Sequence, residues 1–329
     1  MEPMKIRRRD FLSGGTAALA FGRAFECSAA TAGPKALRGI FPIAQTPFTT
    51  SNKLDVDSLV EQVRFIHRGR VHGFVWPQLA SEWETLTEPE RLEGAEAIAA
   101  TGKGLGPAIV LGVQAPDVAT AVRYAKHAQK VGADAIISLP PANQSDPAAI
   151  LEYYRQVGSA TDLPLFCQAV GSLSIDSIIS MYRDIPTLRY VKDEAGEPLM
   201  RLAELRSKSN DQLKVFTGGH GKTLIDEMIR GFSGSMPAAS FADVYASAWD
   251  LWHEGKKREA VDEFGSAAIL IHEISTYPEG MKYILYLRGV FKTYHSRRAG
   301  GGRSAARLDE AGQQVLRTLL DLMKPRLRA

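Results

Sequence analysis

The 329-residue chain is predicted to adopt an α/β fold, a closed (β/α)8 TIM barrel with a C-terminal helical extension, on three observations. From residue 38 short apolar runs alternate with longer amphipathic stretches, the pattern of repeated strand–helix units around a parallel sheet. Eight such units fit into roughly 200 residues, which favours a closed barrel over an open sheet. The chain beyond about residue 241 carries helical patterns and no convincing strand.

The first strand is expected at 39–44, an apolar run ahead of a helical pattern at 56–67. The second and third fall at 73–76 and 108–112, and the helix at 117–131 leads to the fourth at 135–139. A helix at 147–157 precedes the fifth strand at 165–168, and the sixth follows at 188–192. The seventh and eighth, at 213–217 and 234–236, flank a helix at 223–231. Helices are then expected at 242–253, 257–275, 281–287 and 308–323, with a flexible Gly/Arg-rich link at 298–303. The predicted organisation is an export signal at 1–32, the barrel at 33–240 and a helical extension packed on it at 241–329.

Composition is that of an ordinary soluble globular protein, 45% hydrophobic and 23% charged. Residues 1–32 hold five Lys/Arg and three Asp/Glu, which leaves 35 basic against 34 acidic residues elsewhere. Nucleic-acid binding therefore has no electrostatic support. Arg7-Arg8-Arg9-Asp10-Phe11-Leu12, a weakly hydrophobic segment from Ser13 to Gly22, and Ala30-Thr31-Ala32 form a twin-arginine export pattern. Arg23 interrupts the apolar run, which is too short for a permanent membrane anchor, so the expected destination is the periplasm. Removing that segment takes Cys27 with it and leaves Cys167 as the one thiol. The seven histidines show no His-Glu-x-x-His spacing and there is no Cys cluster, so no metal is expected.

Lys192 ends the apolar run Leu188-Arg189-Tyr190-Val191 and is followed by the turn-forming Asp193-Glu194-Ala195-Gly196-Glu197-Pro198. A lysine at the carboxyl end of a barrel strand stands where enzymes of this architecture place reactive groups, and burial there favours the neutral amine that attacks a carbonyl. Pairing with Asp193 or Glu194 as a simple strand cap is the competing reading. Glu82, Glu84, Glu194 and His220 fall near other strand ends and are candidates for proton transfer. Ser81 could cradle a carboxylate through its N–H or hydroxyl. Trp76 and Trp83 suit either a pocket wall or ordinary packing. The turn Thr217-Gly218-Gly219-His220-Gly221-Lys222-Thr223 ends like a phosphate loop, but Phe216 stands where that motif requires glycine. Gly218, Gly219 and His220 are better suited to holding the far end of an acidic substrate. Gly102-Lys103-Gly104-Leu105-Gly106 precedes Pro107 and a strand rather than opening a helix, so it reads as a turn.

Several segments in order resemble one family, that of dihydrodipicolinate synthase and N-acetylneuraminate lyase, from about Leu37 to Pro325. Leu37-Arg38-Gly39-Ile40-Phe41-Pro42 with Thr46-Pro47-Phe48 is similar to its opening strand, and Ser81-Glu82 with Thr85-Leu86-Thr87 to the end of its second unit. Lys126-His127-Ala128 and Val131-Gly132-Ala133-Asp134-Ala135 resemble its third helix and fourth strand. Leu163-Pro164 is similar to the opening of its fifth strand, and Met281-Lys282-Tyr283 resembles its late helix. Tyr190-Val191-Lys192-Asp193 is similar to the segment that holds its Schiff-base lysine.

The chain departs from that pattern. Leu79 and Ala80 stand at its paired threonines, Gln78 and Ser81 at the flanking glycines, Gln168 at its proton-relaying tyrosine and Leu173 at the arginine that holds a second carboxylate. No tyrosine stands at 141–143, where the fourth loop would offer a partner subunit's ring. A carboxamide cannot relay a proton as a phenol does.

The resemblance implies a cofactor-independent Schiff-base lyase acting on a 2-oxo acid, by aldol cleavage or by dehydration of a 2-keto-3-deoxy sugar acid. Lys192, Gln168, Glu82 and Glu194 are its expected catalytic residues, and Ser81, Ala80, Gly218, Gly219, His220 and Met236 its expected substrate contacts. It also implies a homo-oligomer, a tetramer or dimer. The rival is an altered member that binds or senses a 2-oxo acid without turnover. Export has its own test: with Arg8 and Arg9 changed to Lys, fractionation should find the protein unprocessed inside the cell. Equal amounts of processed protein outside the inner membrane in both versions would exclude twin-arginine export.

Overall fold

Eight parallel strands pair in chain order: β1 (Gly39–Ile40), β2 (Gly73–Trp76), β3 (Ala108–Gly112), β4 (Ala135–Ser138), β5 (Leu165–Ala169), β6 (Leu188–Asp193), β7 (Lys214–Thr217) and β8 (Gly234–Ser235). β1 pairs with β8, and a bridge from Ile43 to Val75 joins the chain beyond β1 to β2, which closes the ring. The computed structural model describes residues 34–275, 277, 279–298 and 307–329. The export reading of 1–32 and most of the predicted link at 298–303 lie outside the described residues. β1 is shorter than the apolar run from which it was predicted. Pro42 has no N–H to give a ladder, so regular pairing stops at Ile40 and resumes as isolated bridges from Ile43 to Val75 and Ala238.

Each strand is followed by a helix: α1 (Val56–Arg68), α2 (Glu88–Gly102), α3 (Val118–Val131), α4 (Pro147–Ser159), α5 (Ile175–Asp184), α6 (Pro198–Lys208), α7 (Leu224–Arg230) and α8 (Ala242–His253). Several begin at side chains that satisfy otherwise unpaired N–H groups. Asp55, Asp117, Asp146 and Ser174 accept from the first turns of α1, α3, α4 and α5, and Thr87 with Glu90 forms a reciprocal capping box on α2. With helices outside and side chains filling the centre, the strands are buried on both faces, which is why they read as apolar runs rather than alternating ones. α8 packs against β1, so the strand–helix alternation runs past residue 240. α9 (Lys257–Ile274), α10 (Gly280–Leu287) and α11 (Glu310–Met323) follow. Among the described residues no helix is long and apolar enough to cross a membrane, and no group of potential ligands could hold a metal ion.

The barrel is filled rather than hollow. Phe41, Ile43, Val75, Val110, Ile137, Phe166, Phe216 and Met236 form its inner cluster. Phe166 stacks on Tyr190 with centroids 4.4 Å apart, and Phe41 meets Phe216 edge-on at 5.4 Å. These rings need small neighbours. A Cβ at Gly234 would lie 2.1 Å from the Gly39 carbonyl oxygen and 2.3 Å from the Phe216 ring, so only glycine lets β8 close on β1 there. The aromatic layer forms a floor, and polar groups collect above it at the carboxyl ends of the strands.

Candidate active site

Strand alternation puts Lys192 in the barrel mouth. Tyr190 packs on the inner cluster, so Lys192 and Glu194, at successive steps of two along the chain, share its inward face. Lys192 is 4% exposed, and its Nζ lies 2.9 Å from Glu194 Oε2. Gln168 is Lys192's register neighbour on β5 and donates from Nε2 to the same oxygen at 2.6 Å. It therefore stands beside the lysine. The other carboxylate oxygen, Oε1, accepts from the Gly219 N–H at 3.0 Å.

Burial alone would push the Glu194 carboxyl up. Burial is the largest single influence, but the Lys192 charge and the hydrogen bonds from Lys192, Gly219 and Gln168 together outweigh it, and the group is held below its ordinary value of 4.5. Taking a carboxylate out of water costs several kcal/mol. Charge-assisted hydrogen bonds return roughly 1.5–3 kcal/mol each, so a grip of three is about what the site needs to keep the charge in place.

The turn after β7 is built for this grip. A Cβ on Gly218 would lie 1.9 Å from Glu194 Oε1, and the Gly218 backbone, at φ −126° and ψ −119°, presents the following N–H to the carboxylate. Gly218 and Gly219, expected as substrate contacts, thus seat a side chain of the protein itself. His220 takes a positive φ of 62°, and its carbonyl accepts from the Tyr245 hydroxyl at 2.5 Å.

The segment after β2 is held from below and from the side. Its two short 3-10 turns, Leu79–Ser81 and Trp83–Thr85, meet at Glu82, which has a positive φ of 57°. Ser81 Oγ donates to the Ala44 carbonyl at 2.5 Å and accepts from the Gln78 N–H at 3.0 Å, while the Ser81 N–H donates to the Gln78 carbonyl at 2.8 Å. Its hydroxyl and its N–H are both engaged within the loop, so neither is offered to a carboxylate. Glu82 ion-pairs with buried Lys282 of α10 and accepts the N–H groups of Arg297 and Arg298 at 2.9 and 3.2 Å. Burial pushes the Lys282 amine down to about 8, with the Glu82 charge working against that shift. Glu82 is therefore an anchor between the second loop and the chain after α10. Glu84 pairs with Arg298 at 2.5 Å on the outside of that anchor.

Ala80 and Met236 pack on the inner cluster. Trp76 is fully buried and donates from Nε1 to Thr46 Oγ1 at 2.9 Å, a packing role in the wall. Trp83 lies under the Arg91 guanidinium, 5.8 Å from its ring centroid. Sequence reading named Gln78 and Lys282 only as parts of the family resemblance, with no role for either, and did not name Gln114. Gln78 donates from Nε2 to Gln114 Oε1 at 2.8 Å, and Gln114 donates to the Pro77 carbonyl at 2.9 Å. Their signal was weak, since a glutamine after an apolar strand resembles any polar loop residue.

Gly218→Ala tests the grip. The methyl group would evict Glu194 Oε1 while Lys192 stays on its strand, so the variant is expected to fold with a lowered melting temperature. Reaction of Lys192 with a 2-oxo acid, read by borohydride trapping, should slow by roughly a hundredfold. An unchanged rate would show that the carboxylate's position does not matter.

Comparison with known proteins places this geometry in a family. The chain is 31% identical over 271 residues to an uncharacterised DapA-like lyase of Halobacterium salinarum, covering 78% of this chain and 86% of that protein. It is 28% identical to the L-2-keto-3-deoxyarabonate dehydratase of Azospirillum brasilense, covering 71% and 79% of the two chains. Among solved structures it superposes on dihydrodipicolinate synthase from Rhodopseudomonas palustris with a TM-score of 0.78 at 25% identity, covering 88% and 98%. Members of this group are lyases that act on 2-oxo acids through a lysine Schiff base, with no added cofactor, and are commonly oligomeric. The family model matches residues 36–315, and the chain belongs to the dihydrodipicolinate synthetase family.

Proposed function

We propose that the chain is a Schiff-base lyase in which Lys192 is the nucleophile and Glu194 the proton carrier. One observation carries this reading: a buried amine on the inward face of β6 has a single carboxylate 2.9 Å away, in a chain of this family. The ammonium form cannot attack a carbonyl, and Glu194 Oε2 is placed to take its proton. The free amine adds to C2 of a 2-oxo acid and one of its protons passes to the C2 oxygen to give the carbinolamine; the proton held by Glu194 then goes to the departing C2 hydroxyl as water leaves and the iminium forms. The iminium then draws electrons from the neighbouring carbons. This permits either cleavage of the C3–C4 bond or proton loss at C3 with expulsion of a C4 hydroxyl. Gln168 cannot itself titrate near neutral pH, and its part is to aim the carboxylate.

A 2-keto-3-deoxy sugar acid is the substrate class we favour over the two-substrate condensation of lysine biosynthesis. Leu173 is a buried apolar residue, and the nearby Arg201 is committed to Asp193 at 2.8 Å and to the Leu173 carbonyl at 3.0 Å. The dehydratase relative supports the same choice. We also propose that residues 1–32 direct export through the twin-arginine machinery, that the mature protein works in the periplasm, and that it assembles as a homo-oligomer.

Borohydride reduction in the presence of pyruvate or a 2-keto-3-deoxy sugar acid, followed by peptide mapping, tests the assignment. The added mass should fall on the peptide containing Lys192, and Lys192→Arg should fold yet trap nothing, because a guanidinium stays protonated. Glu194→Gln should slow trapping by about 10²–10⁴-fold. Because Glu194 is held below 4.5, the acid limb of the wild-type rate should lie below that pH and vanish in Glu194→Gln. Adduct on another lysine would remove Lys192 from the mechanism, and saturable binding with no product would favour a sensor.

A further inference from the structure

Hydrogen bonding fixes the orientation of three buried amides, those of Gln168, Gln114 and Gln78. Gln168 must turn Nε2 toward Glu194, since the ionised carboxylate only accepts. The Pro77 carbonyl also only accepts, so Gln114 must give it Nε2, which leaves Gln114 Oε1 facing Gln78 and requires Nε2 from Gln78 in turn. The remaining oxygens, Gln168 Oε1 and Gln78 Oε1, are buried and meet no hydrogen-bond donor among the described residues. Both glutamines are fully buried. The Ser81 N–H donates to the Gln78 main-chain carbonyl at 2.8 Å.

These oxygens belong to the same mouth. Gln168 follows Phe166 of the inner cluster by two residues, and the Gln78 amide lies over inward-facing Gly112, where a Cβ would come within 3.0 Å of its Nε2. In a ring of eight strands β2 stands opposite β6, so the segment after β2 that carries Gln78 lies across the ring from the strand of Lys192, with Gln168 beside the lysine.

The polar inventory is lopsided. One N–H of each amide is used within the protein, and the Arg91 guanidinium is turned to the carbonyls of Gln114 and Gly112 at 2.7 and 2.6 Å. Gln168 Oε1 and Gln78 Oε1 remain as unpaired acceptors. A second carboxylate would meet lone pairs, whereas a hydroxylated chain would bring the missing donors.

We propose that Gln168 Oε1 and Gln78 Oε1 are the hydroxyl acceptors that select the tail of the substrate, Gln168 near the iminium and Gln78 at the far side. This rests on the reading of Lys192 as nucleophile. A tail that lacks the hydroxyls leaves both carbonyls buried without donors, a discrimination of about tenfold or more for each bond lost.

The test measures half-saturation of borohydride-trapped adduct with the full chain and three five-carbon acids: 2-keto-3-deoxypentonate, 2-oxopentanoate and 2-oxoglutarate. Pyruvate serves as the tail-free reference. The wild type should half-saturate with the hydroxylated acid at least tenfold below 2-oxopentanoate, with 2-oxoglutarate weakest. Gln78→Met should shrink the first ratio by about tenfold. Equal half-saturation of the hydroxylated and plain acids, tighter use of 2-oxoglutarate, or a ratio that Gln78→Met leaves unchanged would each overturn the acceptor assignment while a pyruvate adduct keeps Lys192 in place. No adduct with any of the four acids would overturn both. The wild-type comparison needs no variant, so a poorly folding Gln78→Met cannot decide it.

Discussion

The Glu194 carboxylate is the group around which the mouth of this barrel is arranged. It is half-buried and held in its ionised form, because an ammonium, a carboxamide and a backbone N–H from three consecutive strand units converge on it. Losing any one leaves a charge in a poorly solvated place, which is why Gly218 has no side chain and Gln168 presents its nitrogen. The same grip sets the chemistry. In the proposed mechanism Glu194 takes the Lys192 proton, and with the two groups 2.9 Å apart this needs a shift of one proton over a single hydrogen bond, with no rearrangement of the fold.

A second buried ion pair does a different job. Glu82 and Lys282 join the loop after β2 to α10 and to the 297–298 segment, while Arg297 clasps Glu90 at 2.6 and 2.8 Å and the Thr85 carbonyl at 2.9 Å. The Arg297 hydrogen bond dominates the shift of the Glu90 carboxyl, which is held down to about 2. The helices beyond the barrel are thus tied to the rim that presents Gln78 and Ala80. On this account the C-terminal region serves the site by holding its second loop, even though none of its described side chains is assigned to the reacting atoms.

How much of this was legible in the chain depended on whether the physics was local. The strands were readable because both faces are buried and each shows as an apolar run, so predicted and observed limits differ by a residue or so except at β1, where Pro42 breaks the ladder. Lys192 and Glu194 were readable because alternation puts residues two apart on one face. The partners of Glu82 were not, since Lys282 lies 200 residues away and a buried lysine looks like any other in a helical pattern. Gly218 and Gly219 announced a special turn but not its purpose, which depends on a carboxylate arriving from the neighbouring strand. The orientation of Gln78 follows from Gln114 and Pro77 together, and no spacing rule encodes a chain of three acceptors and donors.

The most direct measurement is a crystal structure of the protein after borohydride reduction with a 2-oxo acid. The account predicts a secondary amine on Lys192 with the Glu194 carboxylate still held by the Gly219 N–H and Gln168 Nε2, and within hydrogen-bond distance, about 3 Å, of the nitrogen or of the C2 substituents. A structure in which Glu194 has swung out to solvent, with the substrate's own carboxylate bound to the Gly219 N–H in its place, would contradict it. Glu194 would then be a plug that the substrate displaces and not the group that moves the proton.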